Sequence, residues 1–139
     1  MESDNNPIVS IHDHGAGGHL NCLSEVVEET GGKIDLDKLP VGDPTLSAKE
    51  IIGNESQERM GLVIGQKDVE LLHRIADRER SPMYVVGNVT GDHRFTFKSS
   101  STGEKPMDMD LEDMFGSSPK TVLTDAKINR KYEAPSYVL

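Results

Sequence analysis

Apolar positions along this chain fall in short bursts, and the spacing inside each burst predicts an element. Pro7 to Ile11 (PIVSI) is β-branched and apolar, the composition of a strand. After a glycine run, HLNCLSEVVEET places Leu20, Leu23, Val26 and Val27 on one helical face, and Gly31-Gly32 ends that helix. KIDLDKLP reads as a short extended piece. In LSAKEII, Ser47 stands three residues before Glu50, a capping-box pattern for a short helix. Arg59 to Gly65 (RMGLVIG) predicts a strand, and KDVELLHRIADRER an amphipathic helix with Val69, Leu72, Ile75 and Ala76 inward.

Farther on, MYVVGNV and RFTFK read as two strands joined as a hairpin by Thr90-Gly-Asp-His93. SSSTGEKP is a polar loop and DLEDMFG a short last helix, while AKINRKYEAPSYVL has weak periodicity and reads as a tail. Helices and hairpins are mixed. The expected class is α+β, a mainly antiparallel sheet flanked by helices.

Composition narrows the function classes. The chain has 139 residues, enough for one core without disulfides, and its 4% aromatic content predicts an aliphatic core. A formal charge of −9 argues against nucleic acid as a partner, because phosphate backbones need a positive field. No apolar run reaches the roughly 18 residues of a membrane span, and the acidic, polar start does not resemble a secretion signal. The expected location is cytoplasmic. The single cysteine, Cys22, sits in the helical apolar pattern and reads as a buried, inert thiol. The sequons at Asn54 and Asn88 carry meaning only in a secreted protein.

Chemistry concentrates in SIHDHGAGGHLN, Ser10 to Asn21. His12 and His14 form a His-x-His pair and His19 is a candidate third ligand. A structural zinc site needs four ligands and a catalytic one usually three, and no Cys or second His pair supports them. Gly15, Gly17 and Gly18 let a ligand approach the main chain, and they lead into a helix whose first amides attract anions. A phosphate-bearing ligand, with Asp13 holding magnesium at its edge, is one reading. A glycine turn serving only strand–helix packing is the other. The run fits neither the P-loop nor the dinucleotide fingerprint. A second cluster, NESQERM (Asn54 to Met60), gathers amide, carboxylate, hydroxyl and guanidinium groups that suit a polar ligand or a solvated strand entry. His73 and His93 are assigned no role.

Three blocks together, NPIVSIHDHGAGGHLNCLSEVV, EIIGNESQERMGLVI and RERSPMYVVGNVT, resemble the phosphoribosylformylglycinamidine synthase family in its large single-chain form. The likeness is to one of its domains of the aminoimidazole-ribonucleotide-synthetase C-terminal type. It runs from about Asn6 to Asp125, and HDxGAGG followed by NESQER, with 42 residues from Asp13 to Glu55, is its specific mark. Residues 1–125 would then be this domain, and 126–139 a linker toward the next.

The resemblance implies a C–N ligase of purine biosynthesis that uses ATP and glutamine-derived ammonia to convert formylglycinamide ribonucleotide to its amidine. It implies an α/β/α-layered sheet with partly ferredoxin-like connectivity. Carried over residue by residue, Asp13 would bind Mg2+, and Glu55, Ser56 and Gln57 would contact the ribonucleotide. Gly15, Gly17 and Gly18 would line the same cleft. The family's ATP-binding domain, with its catalytic histidine, and its glutaminase domain have no room in this chain. No catalytic residue is therefore expected here, ATP would be bound mainly by the absent domains, and the isolated piece would be silent. Apolar surface meant for those domains would favour self-association. His14 and His19 depart from the family, which often has an apolar residue at the first position and leucine at the second. A non-enzymatic metal-binding or interaction module using His12, His14 and His19 is the alternative.

Overall fold

A computed structural model describes residues 6–117 and 119–137. Among these residues, six strands and four α-helices follow in the order β1 (Ile8–Asp13), α1 (Gly18–Val26), β2 (Gly32–Asp35), α2 (Ala48–Ile52), β3 (Met60–Ile64), α3 (Val69–Arg78), β4 (Gly87–Val89), β5 (Arg94–Lys98), β6 (Met107–Asp110) and α4 (Leu111–Phe115). Two sheets form. One is the antiparallel pair β1–β3, and the other has the order β4-β2-β5-β6. Within the second, only β2–β5 is parallel, so the class is α+β with mainly antiparallel pairing. No helix among the described residues is long and apolar enough to cross a membrane.

The core is not purely aliphatic. Alternation along β5 sends Phe95 and Phe97 inward, both fully buried, with rings edge-to-face at 5.2 Å. Around them pack Val26, Val27, Ile34, Leu36, Leu39, Ile52 and Leu111. Few aromatics thus suffice when two of them sit at the centre. The opposite face of β5 carries Arg94 and Thr96, which meet the outward carboxylates of β6. Arg94 binds Asp108 at 2.9 Å and Asp110 at 2.7 Å. Those charge-paired carboxylates let the MDMD stretch form a strand that hydrophobic patterning misses.

The expected hairpin between 83–89 and 94–98 is absent, because β2 lies between its two arms. Residues 90–93 instead cross the start of β2. The Thr90 amide donates to the Gly31 carbonyl (3.1 Å) and the His93 amide to that of Thr30 (3.0 Å). Gly31 makes this crossing possible. Its φ is +94°, and a Cβ there would lie 2.8 Å from the His93 nitrogen.

The capping box on α2 forms as predicted: Ser47 Oγ accepts from the Glu50 amide, and the Glu50 carboxylate accepts from the Ser47 amide at 2.8 Å. The extended reading of 33–40 holds only to Asp35, after which the chain makes a 3-10 turn, Leu36–Lys38. From that turn the Asp37 carboxylate accepts bonds from the Ser101 amide (2.7 Å) and from the hydroxyls of Ser99 and Ser100. These bonds, the Ser101 amide foremost, hold the Asp37 carboxyl below its ordinary range and tie the serine loop to the sheet. On α3, no residue of the predicted inward face is fully buried, and Ile75 is 37% exposed. Beyond Phe115 there is no further helix or strand among the described residues, and Val122, Leu123, Ile128 and Tyr132 are exposed.

Candidate functional site

The two motifs singled out in the sequence meet at one end of the β1–β3 pair. Antiparallel register sets His12 opposite Gly61 and Asp13 opposite Met60. One more step pairs the next residues, where the His14 amide donates to the Arg59 carbonyl at 2.9 Å. NESQER therefore runs into β3 directly beside the glycine loop that leaves β1. Alternation puts His12 and Gly61 toward α1, and Asp13 with Ile11 and Met60 on the outer, exposed face.

Close packing makes the glycines necessary here. A Cβ on Gly61 would lie 2.6 Å from Cys22 Sγ, so α1 rests directly on the strand backbone. Cys22 is buried, its thiol directed to the His12 carbonyl, and burial pushes its pKa up, as an inert thiol requires. Gly18 has a φ of +63°, and a Cβ there would sit 2.6 Å from the Asn54 carbonyl oxygen. The backbone of the second motif thus lies against the first turn of α1.

α1 starts at a left-handed Gly17 with no cap from a neighbouring side chain. Its N-terminal end is served from a distance: the Gly17 amide donates to Glu55 Oε1 at 3.3 Å. This changes the phosphate-cradle reading, since a protein carboxylate already engages that amide. Ser56 is fixed by Asn54, its hydroxyl donating to Asn54 Oδ1 at 3.1 Å and its amide to the Asn54 carbonyl at 3.0 Å. Glu58 adopts a left-handed φ of 61°, a conformation that strains a residue with a side chain and turns the chain into β3. Gln57 is exposed and makes no side-chain hydrogen bond among the described residues.

Asp13 is exposed at the end of β1, and a Cβ on Gly15 would be in ordinary contact with its carboxylate, 3.5 Å away. Among the described residues, no three His, Cys, Asp or Glu side chains gather as a metal site. Asp13 therefore belongs to no preformed cluster of three such side chains among the described residues.

The histidines do not form a metal triad. His12 Nδ1 lies 3.2 Å from the Glu25 carboxylate on α1. His14 and His19 are each 5% exposed and bond to one another, Nε2 to Nδ1, at 2.8 Å. Burial is the main cause lowering both pKa values, and His19 falls to about 4, with His14 and Arg59 adding to the effect. Both rings are accordingly neutral at pH 7. Sequence reading missed this couple because residues 14 and 19 bracket a glycine turn, a spacing with no periodic signature.

Residues 1–100 match the family described as AIR synthase related protein, C-terminal domain. The chain belongs to that family. It is 45% identical over 121 residues to the phosphoribosylformylglycinamidine synthase of Dictyostelium discoideum, a match covering 86% of this chain and 9% of that protein. It is 38% identical over 138 residues to the probable chloroplastic/mitochondrial phosphoribosylformylglycinamidine synthase of Arabidopsis thaliana, covering 91% of this chain and 10% of that protein. The chain thus spans about a tenth of the length of the curated relatives it matches.

Among solved structures, the PurLQS structure from Thermotoga maritima superposes with a TM-score of 0.71 at 24% identity, covering 91% of this chain and 22% of that one. T. maritima PurL complexed with FGAR gives a TM-score of 0.68 at 23% identity, covering 93% of this chain and 21% of that one. At these identities the likeness shows the fold of this AIR synthase C-terminal-type domain.

Proposed function

We propose that this domain forms the ribonucleotide- and magnesium-contacting part of a phosphoribosylformylglycinamidine synthase. In this reading the rest of the active site lies in further domains of a longer polypeptide. The observation that carries it is the hydrogen bond between Gly17 and Glu55, which brings HDHGAGG and NESQER to one place. Support comes from the 45% identity to the Dictyostelium enzyme.

Each residue then has a physical task. Glu55 is held by the Gly17 amide through Oε1, and Oε2 has no hydrogen bond among the described residues, leaving an acceptor for ligand hydroxyls. Ser56 is oriented by Asn54 and offers its hydroxyl oxygen, while Gln57 offers a free amide at the surface. Gly15, Gly17 and Gly18 keep the loop thin enough for a ligand to approach the backbone. Asp13 would hold Mg2+, which supplies charge neutralisation to phosphate oxygens when bound. Activation of the amide by ATP and delivery of ammonia fall to the other domains, and the ATP is bound there.

An assay of the intact enzyme tests this reading. It should form the amidine from formylglycinamide ribonucleotide, ATP and glutamine. Asp13→Ala should reduce that rate, and the 139-residue chain alone should give none. Robust turnover by the isolated chain, or full activity of Asp13→Ala, would overturn it.

A further inference from the structure

We propose that His14 and His19 are positioning residues of the glycine loop, whose mutual hydrogen bond ties the end of β1 to the first turn of α1. Their assignment to the ribonucleotide site rests on the function proposed above; the loop geometry itself does not. The two rings bracket Gly15 to Gly18 and meet edge-to-face, with centroids 4.5 Å apart and planes at 78°. Four residues that include three glycines have little intrinsic reason to hold one shape. The couple closes this span as a staple, at the point where the His14 amide also bonds the Arg59 carbonyl. Gly17, whose amide grips Glu55, lies inside the closed span.

The proton arrangement follows from burial. His14 Nδ1 is buried without a partner. If the His14 proton sat there, a buried N–H would be orphaned, which folded proteins almost never allow. His14 therefore carries its proton on Nε2 and donates it to His19 Nδ1, while His19 carries its own on Nε2. A metal at either bonded nitrogen would have to break this bond, so the couple holds the loop and not an ion. Arg59 and Asp13 are the charged groups whose fields reach His14, and Arg59 also reaches His19.

The test uses the 139-residue chain without ligand, so it stands or falls apart from the enzymatic reading. Long-range 1H–15N spectra of the imidazoles should show the Nε2–H tautomer for both rings. Amide exchange at Gly15 to Gly18 and at Glu55 to Glu58 should speed up by about tenfold or more in His19→Leu, the effect of losing a buried polar partner, with Phe95 and Phe97 unchanged. A His14→Gln/His19→Asn double variant, which rebuilds a polar pair, should return exchange toward wild type. A His14 proton on Nδ1 together with a His19 proton on Nε2 leaves no proton between the two bonded nitrogens, overturns the proposal and needs no variant to detect. Loop exchange unchanged in His19→Leu, or no rescue by the rebuilt pair, overturns it as well.

Discussion

The Gly17 amide donates to the Glu55 carboxylate at 3.3 Å, joining residues 38 positions apart at the start of α1. The contact has two consequences. It caps a helix that has no side-chain cap of its own, and it fixes the direction of a carboxylate in the candidate site. A candidate site residue is thereby held by the same backbone group that a free anion would have taken.

Gly18 is the position where this junction tolerates least. Gly18→Ala forces a left-handed alanine and drives its Cβ against the Gly53–Asn54 backbone. The expected loss is about 2–4 kcal/mol, from backbone strain plus overpacking. Gly103 is a control, left-handed at +77° but with nothing within 4 Å of a Cβ. Gly103→Ala should cost only about 1 kcal/mol. Urea unfolding of the two variants measures the difference.

Ser47→Ala removes the hydroxyl half of the capping box on α2, together with the 2.6 Å bond from the Ser47 hydroxyl to the Glu50 carboxylate, and leaves the bond from the residue 47 amide in place. A loss of about 1 kcal/mol is expected in the same unfolding experiment.

The buried histidine gives stability a pH dependence of known sign. His19 falls from an ordinary value of 6.5 to about 4 on folding, mainly because burial disfavours the charged ring. The unfolded chain then binds more protons between these two values, so stability rises with pH across that window. This contribution is complete above the unfolded value and is lost as pH falls from about 6.5 toward 4, by roughly 3 kcal/mol at most. Denaturant titrations at pH 7.5 and at about pH 4.5 should differ in this direction, and His19→Asn should flatten the slope.

Local chemistry was legible wherever one segment determined its own shape. Ser47 and Glu50 announced the α2 cap, and the β-branched runs announced β1 and β3 to within two residues at either end. What sequence could not show depends on distant partners. Thr90 to His93 reads as a hairpin turn by composition, yet Gly31 and Thr30 take its hydrogen bonds because β2 inserts between the arms. Met107 to Met109 carries no pattern of its own, and Asp110 reads as the start of the last helix, until Arg94 supplies the charge that lets the aspartates line a strand face.

The site divides in the same way. HDHGAGG and NESQER were each visible, and the resemblance supplied their roles. The contact between Gly17 and Glu55 is tertiary, and no spacing rule contains it. The His14–His19 couple joins two positions that, taken singly, are only departures from the family pattern.

The most direct test of the account is the Michaelis constant for formylglycinamide ribonucleotide in the intact enzyme, measured for Glu55→Ala against wild type. If Glu55 is a substrate acceptor held by Gly17, its loss removes a charge-assisted hydrogen bond and loosens its anchor. KM should rise by about 10- to 100-fold. An unchanged KM, in a Glu55→Ala enzyme that remains folded, would contradict it.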